Sequence, residues 1–237
     1  MEYLAIGFNV VLATLPHIFV SSIITALTLL KDNYTFRKKI IILLFNSLVV
    51  ISPDILKIIG ILSGHSLLMV PILAFIFSFI YSRLNNENKF KTLWLIFSLI
   101  ILFGHLLLDF IDNGAELFYP FVRDSIDYTL INKIDLIFIA ILMTSFILLF
   151  FYKKKIIFVI TSFSIIALYL GILIVSKEYL EYNLRKEFKD QDIVLLITYP
   201  DHDFNWEFQV RTNRSIVVGR SLYTKQISLL KVKQNFD

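Results

Sequence analysis

His105 and Asp109 stand four residues apart inside an apolar run, a spacing that puts both side chains on one face of a helix. Such a pair suits either a shared ion or a hydrogen bond between the two side chains. Three further ionisable residues lie in or beside apolar runs: His17 after Pro16, Asp54 after Pro53, and His65 before Ser66. Each also has a plain structural reading. Ser-Pro-Asp is an ordinary turn or helix cap, His65 and Ser66 suit a helix start, and a single His17 suits a bond to a neighbouring helix. As a set, three imidazoles and two carboxylates match the donors preferred by zinc, with manganese a further divalent candidate. An ion held there lowers the pKa of bound water to about 7, which makes hydroxide available near neutral pH. Cysteine is absent, so there is no thiolate site and no disulfide framework.

The elements that must position these residues are membrane spans. Of the 237 residues 57% are hydrophobic and 18% charged, with 23 Phe and a mean hydropathy of +0.74. That is too apolar for a water-soluble domain of this size. The net charge of +4 does not signal nucleic acid, because most Lys and Arg lie in short segments between apolar runs. Six spans are expected: within Tyr3 to Leu30, then Ile40 to Ser52, Ser66 to Ser82, Thr92 to Phe110, Asp135 to Tyr152 and Ile156 to Ser176. The second is short, and a continuation past Pro53 as a broken helix through Ile55 to Leu62 would make a cavity. The first opens Met1-Glu2-Tyr3 without a basic region and reads as a retained span.

Lys31, Arg37, Lys38 and Lys39, then Arg83, Lys89 and Lys91, then Lys153, Lys154 and Lys155 mark the cytoplasmic loops. The opposite loops carry only Lys57, Arg123 and Lys133. The N-terminus and C-terminal tail are therefore expected outside, with Asp54, His65, His105 and Asp109 toward one leaflet and His17 approaching from within. The expected organisation is an all-α helix bundle over residues 1–176, a charged helical connector over 177–190, and a small β-rich extracytoplasmic domain over 191–237. Strand candidates in the last are Ile193 to Thr198, Glu207 to Val210, Ser215 to Val218 and Gln226 to Val232, with turns at Arg211 to Arg214 and Gly219.

From Pro16 to Phe121 the chain resembles the bacterial family of membrane-bound metal-dependent hydrolases. The residues that carry the likeness are His17, Pro53-Asp54, His65-Ser66 and Gly104-His105-Leu106-Leu107-Leu108-Asp109, followed by Gly114 and Tyr119-Pro120. Tyr199-Pro200 and Asn205-Trp206 look like the family's strand-rich extension. The His-x-x-x-Asp unit is similar to one used by zinc-dependent phospholipases C, which implies phosphoester chemistry. Many members carry a second acidic residue where this chain has Leu56, and a His-Arg pair where it has Gly60 and Ile61. A smaller metal set or a degenerate site follows from those departures.

The expectation is a multi-pass inner-membrane hydrolase in which His17, Asp54, His65, His105 and Asp109 hold one or two divalent ions. Asp54 or Asp109 acts as general base, and Ser66 supports the ligands. Lys57 either steers an anionic head group or snorkels to water. A site at leaflet depth favours a membrane lipid or lipid-linked substrate. A proton or ion relay, as part of a transporter, and an inactive scaffold are the alternatives. Asp112, Asn113 and Glu116 are candidates for the entrance. His202, between Asp201 and Asp203, reads as a lid or a solvated turn, and Trp206 as the small domain's core or an interfacial anchor rather than a substrate platform.

Overall fold

The computed structural model describes residues 2–60, 62–85, 87–112, 114–132, 134–151, 155–201, 205–222 and 227–234. His202, Asp203, Asn113, Lys133 and Ile61 lie outside the described residues. The chain divides into two compact units, residues 1–128 with 134–164, and residues 129–133 with 165–237.

The first unit is helical: α1 (Glu2–Thr28), α2 (Phe36–Ile58), a 3-10 turn (Leu62–His65), α3 (Met69–Leu84), α4 (Phe90–Ile101), a π turn (Leu102–Leu106), α5 (Leu107–Asp112) and α6 (Leu136–Phe151). Helix α7 (Lys155–Glu187) begins in this unit and continues into the second. Among the described residues four stretches have the length and composition to cross a membrane: Val11–Thr28, Phe36–Ile58, Phe90–Asp112 and Ile157–Glu187. Where the third and fifth spans were expected, α3 and α6 have 16 residues each. That is roughly 24 Å of rise, short of a hydrocarbon core of about 30 Å.

Helix α2 illustrates how these elements form. Ile42, Leu43, Asn46, Val49, Val50 and Pro53 are buried along one stripe, while Ile41, Leu44 and Leu48 are exposed, so the helix is apolar all round as lipid requires. The break expected at Pro53 does not occur, and the helix runs on to Ile58. Proline removes the hydrogen bond to the carbonyl four residues back, that of Val49, and the Ser52 hydroxyl donates to that carbonyl at 2.7 Å instead. No cavity arises from a break there. Gly60, at φ +86°, closes the helix in the left-handed conformation. The core beneath is built from Val49, Val50, Leu93, Phe97, Ile100 and Ile101, with the Phe45 ring 5.1 Å from Tyr81 and 5.9 Å from Phe97.

In the second unit, the last turns of α7 bury one stripe, Leu173, Ser176, Lys177, Leu180 and Leu184, and Phe188 beyond the helix end continues it. The charged segment expected as a connector is the uninterrupted end of this helix. Strands β1 (Ile193–Pro200), β2 (Asn205–Thr212), β3 (Ser215–Leu222) and β4 (Ile227–Gln234) form a four-stranded antiparallel meander in sequence order. The turn expected at Arg211 to Arg214 is present, with the Thr212 hydroxyl accepting from the backbone N–H of Arg214 and Ser215. Gly219 is not a turn: it sits within β3 opposite Phe208, at a register shift, where a residue without a side chain accommodates a bulge. Trp206, Phe208 and Val210 are fully buried, so Trp206 is core rather than a substrate platform.

Candidate metal centre

Four elements of the first unit bring the candidate residues together. Helix α1 supplies His17, α2 supplies Asp54, the 3-10 turn supplies His65, and the π turn with α5 supplies His105 and Asp109. Two glycines permit this approach. A Cβ at Gly64 would stand 2.7 Å from the Pro53 carbonyl oxygen, so only glycine lets the turn bearing His65 lie against α2 beside Asp54. A Cβ at Gly104 would stand 3.0 Å from Val50 Cγ2, which ties the π turn closely to α2. A π turn inserts one residue into a helical ladder, and such turns recur at functional sites.

The side chains converge. His65 Nε2 lies 3.1 Å from Asp54 Oδ1 and 3.2 Å from His105 Nε2. Asp109 Oδ2 is 3.4 Å from both His65 Nε2 and His105 Nε2, and its Oδ1 is 3.7 Å from His17 Nε2. Nδ1 of His17 donates to the Gly104 carbonyl at 3.0 Å. His105 is fully buried, and its Nδ1 has no hydrogen-bond partner among the described residues. The Asp54 side chain is 48% exposed against 14% for Asp109, so the cluster opens on the Asp54 side.

The proton count within this cluster is informative. One imidazole nitrogen carries either a proton or a lone pair. His65 Nε2 therefore cannot donate to Asp54 and accept from His105 at the same time. A cation among the three accepts a lone pair from each of them. Asp54, His65 and His105 each present one ligand atom, all within 4.8 Å of one another. Two donors on a tetrahedral zinc, each about 2.0–2.2 Å from it, are about 3.3–3.6 Å apart, which the separations of 3.1, 3.2 and 3.7 Å bracket. The residues present fit a divalent ion.

Ser66 is buried beside His65, and its hydroxyl makes no hydrogen bond among the described residues. Lys57 is exposed in the last turn of α2, one turn beyond Asp54. The segment after Asp109 is pinned nearby, with Gly114 N–H donating to Asp109 O, Leu67 N–H to Leu117 O, and a bridge between Ala115 and Ile126. Asp112 ends α5 and Glu116 follows in this segment, both half-buried. Gly64 and Gly104 were missed as site-forming residues. Their signal is two Gly-His dipeptides, at His65 and His105, whereas the third buried histidine of the cluster, His17, follows Pro16.

A family model described as YdjM inner membrane protein matches residues 62–180, half of the chain. That segment carries His65, His105 and Asp109, while His17 and Asp54 precede it. No curated protein and no solved structure matches the chain.

Proposed function

Starting from the chain's membership of the YdjM inner membrane protein family, we propose that it is a divalent-metal-dependent hydrolase of the bacterial inner membrane. The observation that carries this reading is the convergence of one ligand atom each from Asp54, His65 and His105, all within 4.8 Å of one another, with His65 Nε2 3.1 Å from Asp54 Oδ1 and 3.2 Å from His105 Nε2. Asp54, His65 and His105 hold the ion, with Asp109 and His17 completing its surroundings; zinc is preferred for this donor set and manganese is the alternative. When bound, the ion polarises water and a phosphoryl or carbonyl oxygen. Asp109, outside that ligand set, would take the proton of the attacking water, while Asp54, on the exposed side, would hold the ion where the head group enters.

The substrate is a lipid or lipid-linked phosphoester whose head group enters beside Asp54 and is drawn by Lys57. In this reading all six apolar helices cross the bilayer, α3 and α6 with local thinning, and the N-terminus and the sheet lie outside. A proton relay has less support: Ser21 and Thr25 share the His17 side of α1, yet their hydroxyls donate to carbonyls of their own helix. An inactive scaffold is distinguished by assay. The test is release of head groups from lipid phosphoesters by purified protein supplied with zinc or manganese. Activity lost in Asp54→Asn supports the reading, and metal-loaded protein inert toward every phosphoester and carboxylester class tried refutes it.

A further inference from the structure

The sheet of the second unit does not lead away from the end of α7; it folds back along it. Three contacts fix the alignment. The Trp206 indole N–H donates to Ser176 Oγ at 2.9 Å, Thr198 Oγ1 donates to Glu181 at 2.6 Å, and Thr212 Oγ1 donates to Gln191 at 2.9 Å. Rising along α7 from Ser176 to Glu181 covers about 7 Å. Descending β1 from Thr198 to Pro200, which pairs with Trp206, covers about 7 Å as well. The chain thus climbs α7, turns at Gln191, and returns down β1, so that Pro200 and Trp206 stand level with Ser176.

Ser176 is where the apolar run of α7 ends. Before it lie residues 156–176 without a charged side chain, and Lys177 follows, buried with its amine donating to the Thr129 carbonyl at 3.1 Å. A lysine at the end of an apolar run marks the boundary of the hydrocarbon. At this level the sheet exposes two large side chains, Tyr199 at 38% and Leu222 at 46%, the latter paired with Asn205 beside Trp206. Tyr179, one turn above Ser176, is also exposed. Exposed aromatic and aliphatic groups at the height where a span leaves the hydrocarbon are the composition of the bilayer interface. The opposite end of the sheet carries the exposed polar turn Arg211, Asn213 and Arg214; Val194 and Leu195 are exposed there too, so it is height along α7 rather than apolar exposure alone that separates the two ends.

We propose that the Tyr199–Leu222 end of the sheet is a lipid-binding surface seated in the head-group layer of the bilayer that α7 crosses. Its occupant is phospholipid, because the covalent continuity of α7 holds this end at the edge of the hydrocarbon. The proposal is independent of the metal centre.

The chain has no cysteine, so single labels are clean. Tyr199→Cys, Leu222→Cys and, at the far turn, Asn213→Cys are each labelled with an environment-sensitive fluorophore in the full-length protein. Each is reconstituted into phosphatidylethanolamine–phosphatidylglycerol vesicles containing nitroxide-head-group lipid. Quenching several-fold stronger at 199 and 222 than at 213 is the expected result, and two independent positions guard against one variant misfolding. Equal, weak quenching at all three positions overturns the proposal by placing this end in water. Shielding of 199 and 222 from aqueous iodide without quenching by lipid also overturns it, since protein would then cover the surface.

Discussion

His17 donates its Nδ1 proton to the carbonyl of Gly104, 3.0 Å away, joining the first helix to the turn that carries His105. A carbonyl only accepts, so this bond leaves Nε2 of the neutral ring as a lone pair facing Asp109 Oδ1 at 3.7 Å. Two electron-rich atoms face each other stably only with a positive charge or a proton between them. Fixing the tautomer of a ligating histidine through its far nitrogen is a recurrent device of metal sites.

His17→Ala removes this outer donor and leaves Asp54, His65 and His105 in place. Metal binding should persist but weaken by about 10- to 100-fold, the range found when supporting groups of a metal site are lost. Competition with a chelator of known affinity measures it; unchanged affinity would exclude His17 from the site.

Gly64→Ala changes no ligand, yet its Cβ would meet the Pro53 carbonyl oxygen at 2.7 Å and Leu56 Cβ at 3.1 Å. The turn must move away from α2, drawing His65 from Asp54, at a cost of about 1–3 kcal/mol. Reduced metal affinity together with lower thermal stability in detergent is the expected pairing. Full retention of both would show that the turn has room.

Ser52→Ala leaves the Val49 carbonyl without the hydroxyl that replaces the amide lost at Pro53. An unsatisfied buried carbonyl costs about 1–3 kcal/mol. Thermal unfolding in detergent should show that loss, with metal stoichiometry in the folded protein unchanged.

Glu87 lies in the loop between α3 and α4, and its carboxylate accepts hydrogen bonds from Lys38, Tyr34 and Lys31. The Lys38 bond foremost, then those of Tyr34 and Lys31, lower its pKa from 4.5 to about 2. A carboxylate depressed in this way favours the folded state above 4.5, and that contribution is lost as pH falls toward 2. The stability difference between wild type and Glu87→Gln should be level from neutral pH to about 4.5, shrink below it, and be reduced by salt because the group is exposed. A difference that grows on acidification would contradict this.

Much of the site was legible before the structure. Apolar runs located the helices, and the expense of an ionisable group in lipid singled out His17, Asp54, His65, His105 and Asp109, which the fold brings to one place. Other features depend on contacts that no local pattern encodes. Pro53 reads as a helix breaker because the rule concerns one peptide bond, whereas Ser52 restores that bond with a side chain from the preceding position. The roles of Gly64 and Gly104 depend on atoms of α2 that approach only in the folded bundle. Gly219 reads as punctuation, but in the sheet it takes up a bulge opposite Phe208.

A divalent ion held by this cluster shows itself in the metal content of the purified protein. Elemental mass spectrometry on detergent-purified, extensively dialysed protein should find about one or more equivalents of zinc or manganese. That metal should be absent from a His105→Ala, Asp109→Ala variant whose helical circular dichroism is unchanged. Wild-type protein that retains no metal and cannot be reloaded would mean that the cluster is not a metal site.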